Sequence, residues 1–155
     1  MGLFAKRLNL RRLKEMAGRE IGLSEWFVVS QERIDAFAAC TEDRQWIHVD
    51  PERAARSPLG GTVAHGFLLL SLLPYFNLEN EVFSGRIRMA VNYGLDRVRF
   101  PRPVRAGSRV RNRAVLKSVA KRGFRKVLVT VENTLEVEGA DKPAMVAQVL
   151  VLILL

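Results

Sequence analysis

Apolar and polar residues alternate over 125–138, with Val127, Val129, Val131, Leu135 and Val137 on one side and Lys126, Thr130, Glu132, Thr134 and Glu136 on the other. A period of two predicts a strand with one buried face. Residues 107–120 repeat the pattern, with Arg109, Arg111 and Arg113 opposite Val110, Asn112, Ala114 and Leu116. Lys121-Arg122-Gly123 forms the turn between these strands, and residues 139–143 form the next turn. Residues 145–155 are almost continuously apolar, as in a strand buried on both faces. Upstream, Ile87, Met89 and Val91, then Arg97-Val98-Arg99-Phe100, predict a strand region that begins at Arg86. It is broken by Asn92-Tyr93-Gly94 and ended by Pro101 and Pro103.

The first half of the chain follows helical spacing. Leu10, Leu13 and Ala17 predict a surface helix over 8–17 that Gly18 closes. Trp26, Phe27, Val28 and Val29 make 21–29 a strand. Ser30 caps a helix whose apolar stripe of Ile34, Phe37, Ala38 and Cys40 runs to Thr41. Asp50 caps a short helix with Pro51 in its first turn. After a turn cluster at 57–61, residues 62–76 are expected to form one long helix. It is apolar all round from Phe67 to Leu73, and so buried on most sides. Strand, helix, loop, buried helix and then long strands make an α+β protein whose antiparallel sheet wraps a long apolar helix. With 155 residues the expectation is a single domain, 1–155.

Composition changes this picture little. Hydrophobic residues at 48% and charged residues at 26% are those of a globular chain. The single cysteine, Cys40, cannot form an intrachain disulfide, which fits a reducing, cytoplasmic setting. It is expected to be a small buried side chain. No apolar run follows the basic N-terminus as in a signal peptide, and the run 67–76 is too short to span a bilayer, so no membrane partner is expected. The net charge of +9 would suit nucleic acid, an anionic surface or a phosphate-bearing ligand. The basic residues are spread through alternating strands rather than interleaved with aromatics, which argues against nucleic acid. Arg109, Arg111 and Arg113 are expected to form one solvated strand face.

The chemistry concentrates between Thr41 and Phe76, where both histidines of the chain lie. Asp43 follows a helix end, a poor place for an anion, so it needs a partner or a task. Taken alone it would be an ordinary turn residue. His48 stands five residues on, and a neutral imidazole is suited to take a proton from water. His65 is either a structural histidine bonded to backbone or part of the site. Two histidines and one cysteine make no zinc set, so no metal is expected.

The run Phe37-Ala38-Ala39-Cys40-Thr41-Glu42-Asp43-Arg44-Gln45-Trp46-Ile47-His48-Val49-Asp50, followed by Ala64-His65-Gly66, resembles the hydratase-2 motif of MaoC-like dehydratases, the (R)-specific enoyl-CoA hydratases. Glu-Asp-Arg-Gln-Trp-Ile-His-Val-Asp-Pro, and 92–101, are most similar to the nodulation-protein-N branch. The resemblance implies a hot-dog fold. It also implies hydration of a trans-2-enoyl-CoA to the (R)-3-hydroxyacyl-CoA, or the reverse, with Asp43 and His48 as catalytic dyad. Backbone N–H groups at His65 and Gly66 would hold the enolate oxygen, with Gly66 letting the thioester approach closely. Gln45 and Trp46 would contact substrate. Where the family has Gly before the aspartate and Asn-Pro between the catalytic pair, this chain has Glu42, Gln45 and Trp46. An acyl-CoA substrate, no separate cofactor, and a homodimer with strands continuing across the interface are implied as well. The rival readings are a hot-dog thioesterase and a non-catalytic acyl-binding partner subunit.

Overall fold

The structure, a computed structural model, describes residues 9–77 and 87–155. Leu8 and Arg86, at which two of the predicted elements begin, lie outside the described residues. The helices are α1 (Leu10–Glu15), α2 (Gln31–Thr41), α3 (Trp46–Val49), α4 (Pro51–Ala55), α5 (Gly66–Ser71) and α6 (Leu73–Phe76), and they accompany one antiparallel sheet. Its strands are β1 (Glu20–Leu23), β2 (Phe27–Val28), β3 (Met89–Arg99), β4 (Arg109–Lys121), β5 (Lys126–Val137) and β6 (Met145–Leu154). The order across the sheet is β1-β4-β5-β6-β3, with β2 also on β4.

The alternation in β4 and β5 sets the register. Val110 faces Val137 and Lys121 faces Val127, so the apolar sets of both strands fall on one face. That face carries Val110, Ala114, Leu116, Val127, Val129, Val131 and Leu135, all fully buried or nearly so. Leu68 and Leu69 of α5, Leu72 between the helices, and Leu73 and Phe76 of α6 cover it together with Ile34 of α2, and Leu13 of α1 closes the far end.

Several expectations need correction. Residues 62–76 are not one long helix. Val63 bridges Arg105, the Ala64 N–H bonds Val104, and the Ala106 N–H bonds Thr62. These non-local partners hold 62–65 extended, so helix begins only at Gly66. Pro74 then brings no N–H to the ladder, and the run divides into α5 and α6. Nor is it buried on most sides: Phe67 is 70% and Tyr75 57% exposed. The predicted 21–29 strand is two short strands. Between them the ladder is interrupted at 24–26, where Ser24 bonds Asn112 through both its backbone and its hydroxyl. Asn92-Tyr93-Gly94 does not break β3. Asn92 pairs with Val151 and Gly94 with Leu150, so Tyr93 is the extra residue of a bulge.

β6 alternates buried and half-buried residues instead of being buried on both faces. Cys40 is exposed. It lies about 200° around α2 from Ala38, on the side away from the core. The three arginines of β4 are not simply solvated. Arg109 pairs with Glu138 at 2.8 Å, Arg111 with Glu136 at 2.7 Å, and Arg113 with Glu136 at 2.9 Å and with Glu20. Trp26 lies under Arg109 and Arg111. Among the described residues no helix is long and apolar enough to cross a membrane.

Candidate active site

Helix α2 ends where Glu42 takes a left-handed conformation, φ 61°, and turns the chain so that Asp43 faces the start of α5. One turn of helix, α3, then carries His48 inward. The His48 side chain is buried, and its Nδ1 lies 2.6 Å from the carbonyl oxygen of Val63. A carbonyl can only accept, so the hydrogen sits on Nδ1 and the neutral ring keeps its lone pair on Nε2. His65, the residue before α5, is also buried. Its Nε2 donates to the Asp43 backbone carbonyl at 2.9 Å and stands 4.0 Å from the Asp43 carboxylate. The His65 Nδ1 is buried without a hydrogen-bond partner. The rings of His48 and His65 stack with centroids 3.6 Å apart and 23° between planes, and Phe37 lies 5.1 Å behind His65.

The sequence therefore brings Asp43, His48 and His65 together: each offers an atom within 4.8 Å of the others. The Asp43 carboxylate is 44% exposed while the imidazoles are enclosed, so the cluster has one wet side. Burial pushes the His48 pKa below its ordinary 6.5, and His65 lowers it further; the Val63 carbonyl and the Asp43 charge oppose the shift. The ring is thus neutral at neutral pH, with a lone pair free for proton transfer.

The other expected positions differ in character. His65 is tied to backbone, the structural alternative, yet it also lines the cluster. Gly66 opens α5, which has no side-chain cap, so its first N–H groups are open. A Cβ at Gly66 would stand 3.1 Å from the ring of Phe100. The glycine makes room for that ring. Gln45 is exposed and forms no cap, and Trp46 is half-buried under the guanidinium of Arg53 at 4.5 Å. An apolar groove of about 790 Å³ begins one turn beyond Gly66, lined by Leu70, Leu73, Pro74, Ala90, Val131 and Val149 among others.

Sequence reasoning missed the residues that fix the loop. Gln31 Nε2 donates to the His48 carbonyl at 2.8 Å, and Gln31 Oε1 accepts from Thr62. Helical spacing alone puts Val63, whose carbonyl sets the His48 tautomer, in a helix. All these contacts join residues distant in sequence, and no local pattern announces them.

Residues 12–139 match the MaoC like domain family. The chain belongs to the MaoC-like family. It is 49% identical over 140 residues to 3-hydroxyacyl-thioester dehydratase Z of Mycobacterium tuberculosis, covering 90% of this chain and 91% of the relative. It is 50% identical over 141 residues to Nodulation protein N of Rhizobium leguminosarum bv. viciae, covering 90% and 88%. Among solved structures, the (R)-hydratase from A. caviae superposes with a TM-score of 0.71 at 23% identity, over 87% of this chain and 94% of that one, and shares its fold. The family read from residues 37–50 and 64–66 is thus the right one. The MaoC-like hot-dog architecture agrees with the antiparallel sheet described above, though with two short helices in place of a single long one.

Proposed function

We propose that this MaoC-like protein adds water across the double bond of a trans-2-enoyl thioester of coenzyme A, giving the (R)-3-hydroxyacyl thioester, and catalyses the reverse dehydration. The observation that carries the reading is the state of His48: neutral, protonated on Nδ1, with a free Nε2 lone pair in one cluster with the Asp43 carboxylate. Dehydratase Z, with nearly half its residues in common, supports the reaction class.

In this reading His48 Nε2 takes a proton from water while Asp43 orients the water. The oxygen bonds to C3, the C2–C3 π electrons move toward the carbonyl, and the thioester oxygen becomes an enolate oxygen. The Gly66 N–H, at the open start of α5, donates to that oxygen. The proton taken from water is returned through the dyad to C2, so the product gains one water and no cofactor is consumed. The groove beside α5 and α6 takes the acyl chain.

The functional unit in this reading is a homodimer. β3 lies at the edge of the sheet, is eleven residues long, and leaves Met89, Val91, Tyr93 and Leu95 exposed. A long apolar edge strand left open invites pairing, and a second copy closes it by antiparallel self-pairing about a two-fold axis. A mass of twice the chain in solution supports this; a stable monomer, or a copurifying hot-dog partner of different sequence, contradicts it.

Loss of the conjugated enoyl absorbance with crotonyl-CoA tests the reaction, with free thiol followed in parallel. Absorbance lost without thiol release supports hydration. Thiol release at the same rate would make the protein a thioesterase instead.

A further inference from the structure

Three asparagines meet on a sheet face that is otherwise apolar. Asn112 of β4 and Asn133 of β5 are 1% and 0% exposed, in the same alternation as Ala114 and Leu116, and as Val131 and Leu135. Asn77, at the end of α6, closes on both. Its Nδ2 donates to Asn133 Oδ1 at 2.9 Å. Asn112 Nδ2 donates to Asn133 Oδ1 at 3.0 Å and to Asn77 Oδ1 at 3.3 Å, and Asn133 Nδ2 donates to the Val131 carbonyl at 3.1 Å. Amides in a core are costly unless bonded, and one atom here is not. Asn112 Oδ1 is buried without a partner among the described residues. Turning that amide over is no remedy, because its oxygen would then face two acceptor oxygens. The cluster holds one acceptor in need of a donor.

The cluster reaches the groove beside α5 and α6 through Asn77. On the helix side the groove is lined by Leu70, Leu73, Pro74 and then Asn77. Ser71 lies there too, but its hydroxyl donates to the Phe67 carbonyl at 2.7 Å. The polar residues on the β3 side, Asn92 and Tyr93, are exposed and so hydrated. No charged side chain lines the groove among the described residues. From Gly66, whose N–H meets the thioester oxygen in the reading above, to Asn77 the helical rise is about 16 Å. An extended chain advances about 1.2 Å per bond, so a chain held at Gly66 comes level with Asn77 after about a dozen bonds. Up to that point it passes leucine and proline; there it meets amides.

We propose that this asparagine cluster selects 2-enoyl thioesters whose acyl chain carries a hydroxyl about a dozen carbons from the thioester, with Asn77 as the specificity-determining residue. A hydroxyl both donates and accepts. Placed beside Asn77, it bonds that amide and brings a donor to Asn112 Oδ1, on the amide that already bonds Asn77. A plain methyl end brings no donor, and a carboxylate would enter a groove with no cation to meet it. The inference rests on the hydratase reading and on its use of this groove, and deepens it by naming the class of acyl chain.

The test compares steady-state hydration of three thioesters in the wild type and in Asn77→Leu: trans-2-dodecenoyl-CoA, the same chain with a hydroxyl on its last carbon, and the same chain with a hydroxyl at its middle. Each kcat/KM is taken relative to that for crotonyl-CoA in the same preparation, so loss of folded protein cancels. In the wild type the terminal hydroxyl is expected to lower KM at least about tenfold below that of the plain chain, because a site built to bond a hydroxyl discriminates against the analogue lacking it. The mid-chain hydroxyl is expected to give no advantage, since it falls among Leu70 and Leu73. Asn77→Leu is expected to abolish the preference for the terminal hydroxyl.

Equal KM values for the plain and terminally hydroxylated chains in the wild type overturn the proposal. So does an equal gain from the mid-chain hydroxyl, or a preference that survives in Asn77→Leu. Should that variant not fold, the wild-type comparison of hydroxyl positions decides alone. Hydration of crotonyl-CoA without any preference among the longer chains removes this inference and leaves the hydratase reading standing. A wild type that hydrates none of the thioesters, crotonyl-CoA included, removes the hydratase reading and this inference with it.

Discussion

Gln31 is the residue on which the geometry of the site depends most heavily without belonging to its chemistry. Its side-chain nitrogen donates to the His48 carbonyl and to Asp35 Oδ1, each at 2.8 Å, and its oxygen accepts from Thr62. Gln31→Ala removes two bonds between distant segments, each contributing about 1 kcal/mol. Thr62 is only 5% exposed, so its hydroxyl is left without a partner at a further cost of about 1 kcal/mol. The bond to Asp35 adds a few tenths of a kcal/mol, and the better helix propensity of alanine offsets a similar amount. The expected loss is about 3 kcal/mol in all. It is to be read by urea unfolding at fixed protomer concentration, because dimerisation would otherwise shift the apparent stability. Turnover is expected to fall at least about tenfold, since α3 and 62–65 are no longer tied together and His48 loses its position. A change below about 0.5 kcal/mol, the range of an uninvolved surface substitution, with turnover intact, would refute the view that Gln31 holds the loop.

Because burial depresses the His48 pKa, the acid limb of kcat/KM is expected below pH 6.5. Asp43→Asn should lower the ring's titration further, as read by NMR of His48, and a midpoint at or above 6.5 would contradict the assignment. The same shift makes the neutral ring the folded form: its contribution to stability is complete above 6.5 and is lost as pH falls through 6.5 toward the folded value, where the unfolded chain binds more protons. Ile34→Ala, at a fully buried position under α2, should cost about 2–5 kcal/mol in urea unfolding, and a loss under about 1 kcal/mol would mean α2 is not anchored there. Cys40→Ser should leave activity unchanged, and a thiol reagent should label Cys40 in the native protein; labelling only on unfolding would contradict its exposure.

What was legible in the sequence was local. The alternation of β4 and β5 survives because each strand pairs on both sides and buries one face. Asp50 and Pro51 open α4 as predicted, with the Asp50 carboxylate accepting from the Arg53 N–H at 3.0 Å. The spacing of Asp43 and His48 was readable from the motif. Their approach to His65 was not, because it depends on Val63 and Ala64 being drawn out of helix by Ile47, Val104 and Arg105. Helical periodicity in 62–76 was real from Gly66 onward, but periodicity does not register that earlier backbone donors are already taken. Cys40 shows the same limit: an apolar side chain near a stripe was assigned to it, though its angle around α2 points it to solvent.

The central claim is that the His48 lone pair, beside Asp43, activates water for an enoyl thioester. The most direct measurement is the rate of absorbance loss with crotonyl-CoA for wild type, His48→Gln and Asp43→Asn, with chiral analysis of the product. Wild-type turnover to the (R)-alcohol, reduced at least about a hundredfold in each variant with the fold intact, is the predicted result. Near-wild-type turnover in either variant would contradict the claim.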